Sequence, residues 1–241
     1  LPPSMGPRHV VRPFIADVEM IDGFLQEAGF ALVDESYGVK TKDGMPTQMF
    51  GAIEIRPKTL EGQFIPAETD KSFALTIGLR GSYDQTLPRG LAVGSRVFVC
   101  DNLAFSGEVN VYAKQTTFVG DRIGGLLREA VGRIPAMAEQ QTKRFDAYRN
   151  FSLTQVKGDA ILIECVRRGI LNPSNVGQAI KEWDEPSHVE HIENGRTVWT
   201  LFNAVTEAIK PSNKDRAHIL SAWERTVPLT SYLDKGVGLL H

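Results

Sequence analysis

The chain has almost no cysteine, no long apolar run and almost no net charge, and each absence removes a class of protein. Two cysteines, Cys100 and Cys165, in 241 residues argue against a disulfide framework, because a chain of this size can build its core from apolar residues. Both read as reduced, buried thiols of a cytosolic protein. No apolar segment approaches the ~20 residues needed to cross a bilayer, and no charged-then-apolar leader is visible, so a membrane is not an expected partner. The formal net charge is -2. No global field therefore attracts nucleic acid, and phosphate binding would need a local basic patch.

Motifs of common catalysis are missing as well. There is no GxxxxGK[ST] phosphate loop, no GxGxxG after a strand and no GxSxG elbow. Nucleotide hydrolysis, dinucleotide redox chemistry and common hydrolase chemistry are disfavoured, no cofactor is expected, and no catalytic residue is assigned.

What is present is an ordinary globular composition, 42% hydrophobic and 23% charged, enough for one large domain or two small ones. Residues 1–13 hold four prolines and read as an extended arm. Asp17–Ala28 reads as an amphipathic helix with Val18, Ile21, Phe24 and Leu25 at helical spacing, stopped by Gly29. Strands are expected at Phe30–Asp34, Tyr37–Lys42, Met49–Arg56, Phe73–Arg80, Leu91–Val99 and Glu108–Thr116. Asp43-Gly44 is a turn signal, and Pro57–Ser72 is a long polar loop. In Phe73–Arg80, alternation puts Phe73, Leu75, Ile77 and Leu79 on one face and Ala74, Thr76, Gly78 and Arg80 on the other.

After Gly120 the period changes. Asp121 is the expected N-cap of a helix running to Asn150, kinked or broken at Pro135. Further helices are expected near Leu153–Arg168, Pro173–Trp183, Arg196–Ile209 and Lys214–Arg225, punctuated by Asn172-Pro173, Glu185-Pro186 and Lys210-Pro211. The fold class is α+β, with an antiparallel sheet in the N-terminal half, a long helix after it, and a helical C-terminal half. The expected division is 14–150 for sheet and helices and 151–241 for a helical subdomain packed on it, the two forming one cooperative unit.

Four constellations could carry chemistry. His188 and His191 stand at i,i+3 and could share a metal on a helix, but no third ligand is near in sequence, so a solvated polar loop is the stronger reading and no metal site is assigned. Asp43 with Glu54-Ile55-Arg56 resembles the acid, acid-x-lysine pattern of magnesium nucleases, with an arginine that cannot take a proton where the lysine would stand. Cys100 lacks a nearby histidine, and Asp101 and Asn102 read as residues bonding the turn after a strand. The fourth is basic: Lys114, Arg122, Arg128, Arg133, Lys143, Arg144 and Arg149 outnumber four acids between 114 and 149. Arg122, Arg133 and Arg144 recur every eleven residues, close to three helical turns, and could track a phosphate backbone, although a mixed solvated face explains them too. Tyr83, Phe105 and Tyr112 sit near strand ends, where bases could stack on them, though core or turn packing is the plainer role.

The block Leu79–Glu108, LRGSYDQTLPRGLAVGSRVFVCDNLAFSGE, resembles a family of phage/plasmid-like proteins carrying a domain of unknown function. The matching residues are Leu79, Arg80, Ser82, Tyr83, Asp84, Gly94, Phe98, Cys100, Asp101 and Asn102. Trp199-x2-Phe202-Asn203-Ala204-x-Thr206 looks like a second shared element. The resemblance covers residues 15–210 and implies phage or plasmid biology in a bacterial cytoplasm, with no activity to carry over. Where a related member has histidine before the Asp, this chain has Tyr83. The sheet-then-helix order is also compatible with the core of single-strand annealing proteins, an analogy of fold alone.

Three functions follow as expectations. The first is a non-enzymatic phage- or plasmid-type protein of DNA metabolism that binds or anneals single-stranded DNA, as a homo-oligomer, through Arg80, Tyr83, Lys114, Arg122, Arg128, Arg133, Lys143 and Arg144. The second is an interaction protein that binds a host protein during infection. The third is a metal-dependent nuclease.

Overall fold

A computed structural model describes residues 13–58, 73–84, 86–97, 102–105, 111–113, 119–193, 195–210 and 217–239. The fold is α+β, with an antiparallel sheet in the N-terminal half and helices in the C-terminal half. The chain divides into two compact units: Leu1–Gly94 with Gly107–Met137, and Ser95–Ser106 with Ala138–His241.

In unit 1, helix α1 (Ile15–Glu27) precedes strands β1 (Phe30–Lys42), β2 (Met45–Pro57), β3 (Phe73–Ser82) and β4 (Arg89–Val97), which lie side by side in that order. A short strand β5 (Asn102–Phe105) belongs to unit 2, and β6 (Val111–Ala113) pairs antiparallel with β4. The two strands expected before Asp43 are one, because β1 absorbs an irregularity of register between Leu32 and Asp34 and stays paired to β2. Asp43 and Gly44 both have positive φ, 53° and 75°, the conformation that matches a two-residue turn to the twist of its strands.

One face of the sheet presents Met49, Ile53 and Ile55 of β2, Ile77 and Leu79 of β3 and Leu91 of β4 to the core. There they meet Val18, Ile21 and Leu25 of α1 and Ala130, Val131, Ile134 and Met137 of helix α2 (Val119–Asn150). The other face is buried too at Phe50, Ala52 and Glu54 of β2 and at Ala74 and Thr76 of β3. Gly51 is needed for space: a Cβ there would lie 2.7 Å from the Tyr37 ring, which covers it from the neighbouring strand.

Helix α2 starts at Val119, so Asp121 lies inside it rather than capping it. It also passes through Pro135. The proline is exposed, while Val131, Ile134 and Met137 around it are anchored in the core, which offsets the hydrogen bond that proline forfeits.

Unit 2 is built from the end of α2 and from α3 (Gln155–Arg167), a 3-10 turn at Pro173–Asn175, α4 (Val176–Asp184), α5 (Val189–Glu193), α6 (Val198–Ala208) and α7 (Ala217–Gly236). Thr154 and Thr197 cap α3 and α6 with their side chains. All of α6 except Glu207 is buried, and its polar stripe is satisfied there, because Thr200, Asn203 and Thr206 donate to the carbonyls of Gly195, Trp199 and Asn203. Its Trp199 and Phe202 meet Phe145 of α2 at ring-centroid distances of 4.8 and 6.0 Å. Trp183 of α4 lies against Gly158 of α3, where a Cβ would stand 2.3 Å from the ring. Helix α7 was expected to end near Arg225. It continues through exposed Pro228 because Leu229 and Leu233 beyond it are buried. α5 replaces an expected polar loop, and Asn102, expected in a turn, opens β5.

Candidate functional site

The eight residues expected to meet nucleic acid do not form one surface. Lys114 lies outside the described residues, as does the side chain of Arg122. Tyr83 is buried: its ring stacks on Phe14 at 4.1 Å, and its hydroxyl accepts a bond from the Phe14 amide. It anchors the segment before α1, which corrects its reading as a stacking platform for bases. Arg80, three residues earlier on β3, is half-buried.

The rest of this motif also builds structure. The Tyr83 amide donates to Thr47 at 2.7 Å. The Ser82 hydroxyl accepts from the Leu87 amide and donates to its carbonyl, closing the turn. Asp84 accepts from the Thr86 amide. Partial burial works to raise the Asp84 pKa, but bonds from the Thr86 hydroxyl and amide and from Ser82 outweigh it and hold the carboxyl below its ordinary value. The described part of the block around Ser82, Tyr83 and Asp84 is therefore a hydrogen-bonded turn and an aromatic anchor.

On α2 the eleven-residue spacing leads to two different environments. Arg133 and Arg144 come within about 20° of each other around the axis, yet Arg133 is exposed and Arg144 is buried. What differs is the cover. The Arg144 Nε donates to both oxygens of Asp234 on α7 at 3.0 Å, and its Nη1 donates to Gln141 at 2.9 Å. Tyr148 donates to the same carboxylate at 2.7 Å. Arg144 is thus part of an internal lock between α2 and α7, which corrects its assignment to phosphate binding.

The remaining cations are exposed and matched with acids. Arg128 lies over the Phe24 ring at 4.7 Å and 3.4 Å from Glu27. Arg133 pairs with Glu129, and Lys143 with Glu139 at 2.6 Å. Such i,i+4 pairs neutralise the face they occupy, so the described part of α2 presents alternating charge and no positive groove.

The nuclease pattern separates in space. Asp43 is at the hairpin tip, whereas Glu54 lies nine residues beyond the start of β2, roughly 30 Å along the strand. Glu54 is buried and paired with Arg56 at 3.1 Å. His188 and His191 do come together, at 5.7 Å between ring centroids, but edge to face, with His191 buried and 6.4 Å from Trp199. Among the described residues no group of three His, Cys, Asp or Glu side chains could hold a metal ion, and no helix is long and apolar enough to cross a membrane. Cys165 is fully buried, and burial pushes its thiol up to about 12, with Arg168 pulling down and Glu164 pushing up. It is inert at neutral pH. Cys100 and Asp101 lie outside the described residues.

What the surface of unit 2 does show is apolar. On α5, Val189 is 64% exposed and Ile192 58%, three residues apart and so on one side of the helix. On α3, Val156 and Ile163 are 76% and 47% exposed. α3 carries apolar residues on two opposite sides, Leu162 and Cys165 on one and Val156, Ala160 and Ile163 on the other, and that excess over what one buried face needs was the available signal. α5 gave only a faint one, because Val189 and Ile192 in HVEHIE are a single i,i+3 pair, too short a pattern to separate a helix from a loop. Compared with family models, curated proteins and solved structures, the chain matches none.

Proposed function

We propose that this chain is a non-enzymatic interaction protein that works by holding a protein partner on its helical unit. In the phage or plasmid setting implied by the Leu79–Glu108 block, that partner is a host protein. The observation that carries the reading is the pair Val189 and Ile192 on α5, two large apolar side chains that face solvent at 64% and 58%. Apolar side chains at the centre of an interface, with charge pushed to the rim, are the usual anatomy of protein docking. Here Glu193 is exposed beside them and His188 is half-exposed.

The test is co-purification of the intact chain with host lysate after nuclease treatment. A partner retained by the wild-type chain and lost from Val189→Glu and Ile192→Glu supports docking on α5. Retention by both variants removes α5 from consideration, and loss of the partner on nuclease treatment alone overturns the reading in favour of nucleic acid.

Single-stranded DNA binding stands as a second reading, supported by the exposed Arg128 stacked on the half-buried Phe24 ring. Guanidinium–aromatic pairs of this kind can receive a base. It predicts binding of oligonucleotides at low salt that weakens steeply as salt rises and that falls in Arg128→Ala. Absence of binding at low salt eliminates it.

A further inference from the structure

Helix α3 has one face that its own unit does not use. With 3.6 residues per turn, Val156, Ala160, Ile163 and Arg167 fall within about 60° of one another, and all four are exposed. The buried side, Gly158, Leu162 and Cys165, lies on the far side of the helix. The core of unit 2 therefore gains nothing from Val156 and Ile163, and an apolar stripe of this kind is costly to leave in water.

We infer that this stripe is the seam of a homodimer, in which α3 packs antiparallel against α3 of a second copy about a two-fold axis passing by Ala160. Three features fit this occupant. Ala160 is the smallest side chain of the stripe and sits at its centre, so two backbones can approach where the copies cross. Val156 and Ile163 flank it at four and three residues, so the two-fold axis sets the Val156 end of one helix beside the Ile163 end of the other. The charges are self-complementary. Lys157 and Glu164 lie on the same flank, about 20° apart around the axis, and the two-fold brings Lys157 within one residue's rise, about 1.5 Å, of the level of the partner's Glu164. Lys157 is exposed and has no ion-pair partner among the described residues. The carboxylate of Glu164, 28% exposed, is held in place by Arg168 at 2.9 Å. An isologous interface must be complementary to itself in this way.

One helix seam buries less than the ~1,200 Å² of a stable interface, so the dimer is weak and its population depends on concentration. This inference uses a different helix from the proposed docking of a host protein and can fail independently of it.

The experiment is sedimentation velocity of the full chain from about 10 μM to 1 mM, the range in which so small an interface populates. The expected result is a monomer–dimer equilibrium in that range. Ile163→Glu weakens it at least about tenfold, and Lys157→Glu and Glu164→Lys each weaken it by about threefold or more. The double swap Lys157→Glu with Glu164→Lys restores it, because only the antiparallel pairing sets these two residues against each other. All three substitutions are at exposed or half-exposed positions, and unchanged thermal unfolding of the dilute variants confirms that they fold. A chain that stays monomeric throughout the range overturns the inference, as does a double swap that remains as weak as either single change. Loss of the dimer in Ile163→Glu with host-protein capture unchanged separates this seam from the α5 surface.

Discussion

Among the described residues each unit of the molecule buries an arginine–aspartate pair, and the two pairs are built differently. In unit 1, Arg89 of β4 reaches Asp17 of α1 while lying 5.5 Å from the Phe14 ring. In unit 2, Arg144 reaches Asp234, and Gln141 and Tyr148 join the same network. The first pair ties a helix to a sheet whose geometry is already set by strand pairing. The second ties helix to helix, where no ladder sets the register and ridges can slide by a turn. A pair in which one N–H is shared by both carboxylate oxygens and further bonds run to Gln141 and Tyr148 supplies that register, a role in which buried polar groups are well attested. The units also differ outside. That difference lies in the number of segments leaving apolar side chains in water: in unit 1 they are Ile15 on α1 and Val33, Val39 and Met45 along the β1–β2 hairpin, whereas in unit 2 Val156, Ile163, Ile180, Val189 and Ile192 are spread over three helices. Acids pair with exposed cations in both units.

The largest expected effect breaks the unit 2 lock. Asp234→Ala removes the carboxylate that Arg144 and Tyr148 share inside the protein, and should cost about 3–5 kcal/mol of stability. The pair Arg144→Met with Asp234→Leu should cost far less, because it removes both charges together. Denaturant unfolding followed by tryptophan fluorescence measures this, since Trp183, Trp199 and Trp223 all belong to unit 2. If the double variant is as unstable as Asp234→Ala, the loss reflects packing volume and the electrostatic account fails.

The next comparison sets two close approaches against each other. Gly158→Ala drives a methyl to 2.3 Å from the Trp183 ring, enclosed between α3 and α4. Gly51→Ala drives one to 2.7 Å from Tyr37, whose ring is only half-buried and can move. Overpacking of the enclosed site should cost about 2–3 kcal/mol and the open one about 1 kcal/mol. Equal midpoints in urea would show that freedom of the facing ring does not decide the outcome.

The smallest effect is a pH dependence in unit 1. The Asp84 carboxyl has a folded pKa below its ordinary value of 3.8. Its bonds with Thr86 and Ser82 therefore stabilise the fold fully above that value, and the contribution is lost as pH falls through the lower folded pKa. The site is largely solvated, so the slope is shallow. Asp84→Asn should flatten the part of the stability curve below about pH 4 and leave neutral stability nearly unchanged. An unaltered acid limb would mean that Thr86 and Ser82 do not hold this carboxyl.

Much of the fold was legible in the chain. Alternation over Phe73–Arg80 assigned Leu75, Ile77 and Leu79 to the core face, and Asp43-Gly44 marked the hairpin, because side-chain period and turn chemistry are local properties. The errors cluster where a long-range contact overrules a local rule. Pro135 reads as a kink or a break yet does not end its helix, and the last helix, expected to stop near Arg225, runs on through Pro228 to Gly236, since buried side chains around each proline keep the chain helical. The candidate site was less legible than the fold. Tyr83, Arg133 and Arg144 look alike as a surface-seeking set, and nothing local distinguishes the exposed cation from the two buried groups.

Composition, spacing and turn residues determined the class of the fold, the order of its elements, the absence of familiar catalytic motifs and the apolar faces of its strands. Those depend on neighbours a few residues away. Only tertiary structure decided that Arg144 would meet Asp234 ninety residues later, that Tyr83 would stack on Phe14, and that Val156, Ile163, Val189 and Ile192 would remain in solvent. The reason is physical. A side chain's period around a helix or along a strand follows from its own backbone, but whether that face meets water, a ring or a counter-charge depends on which distant segment packs over it.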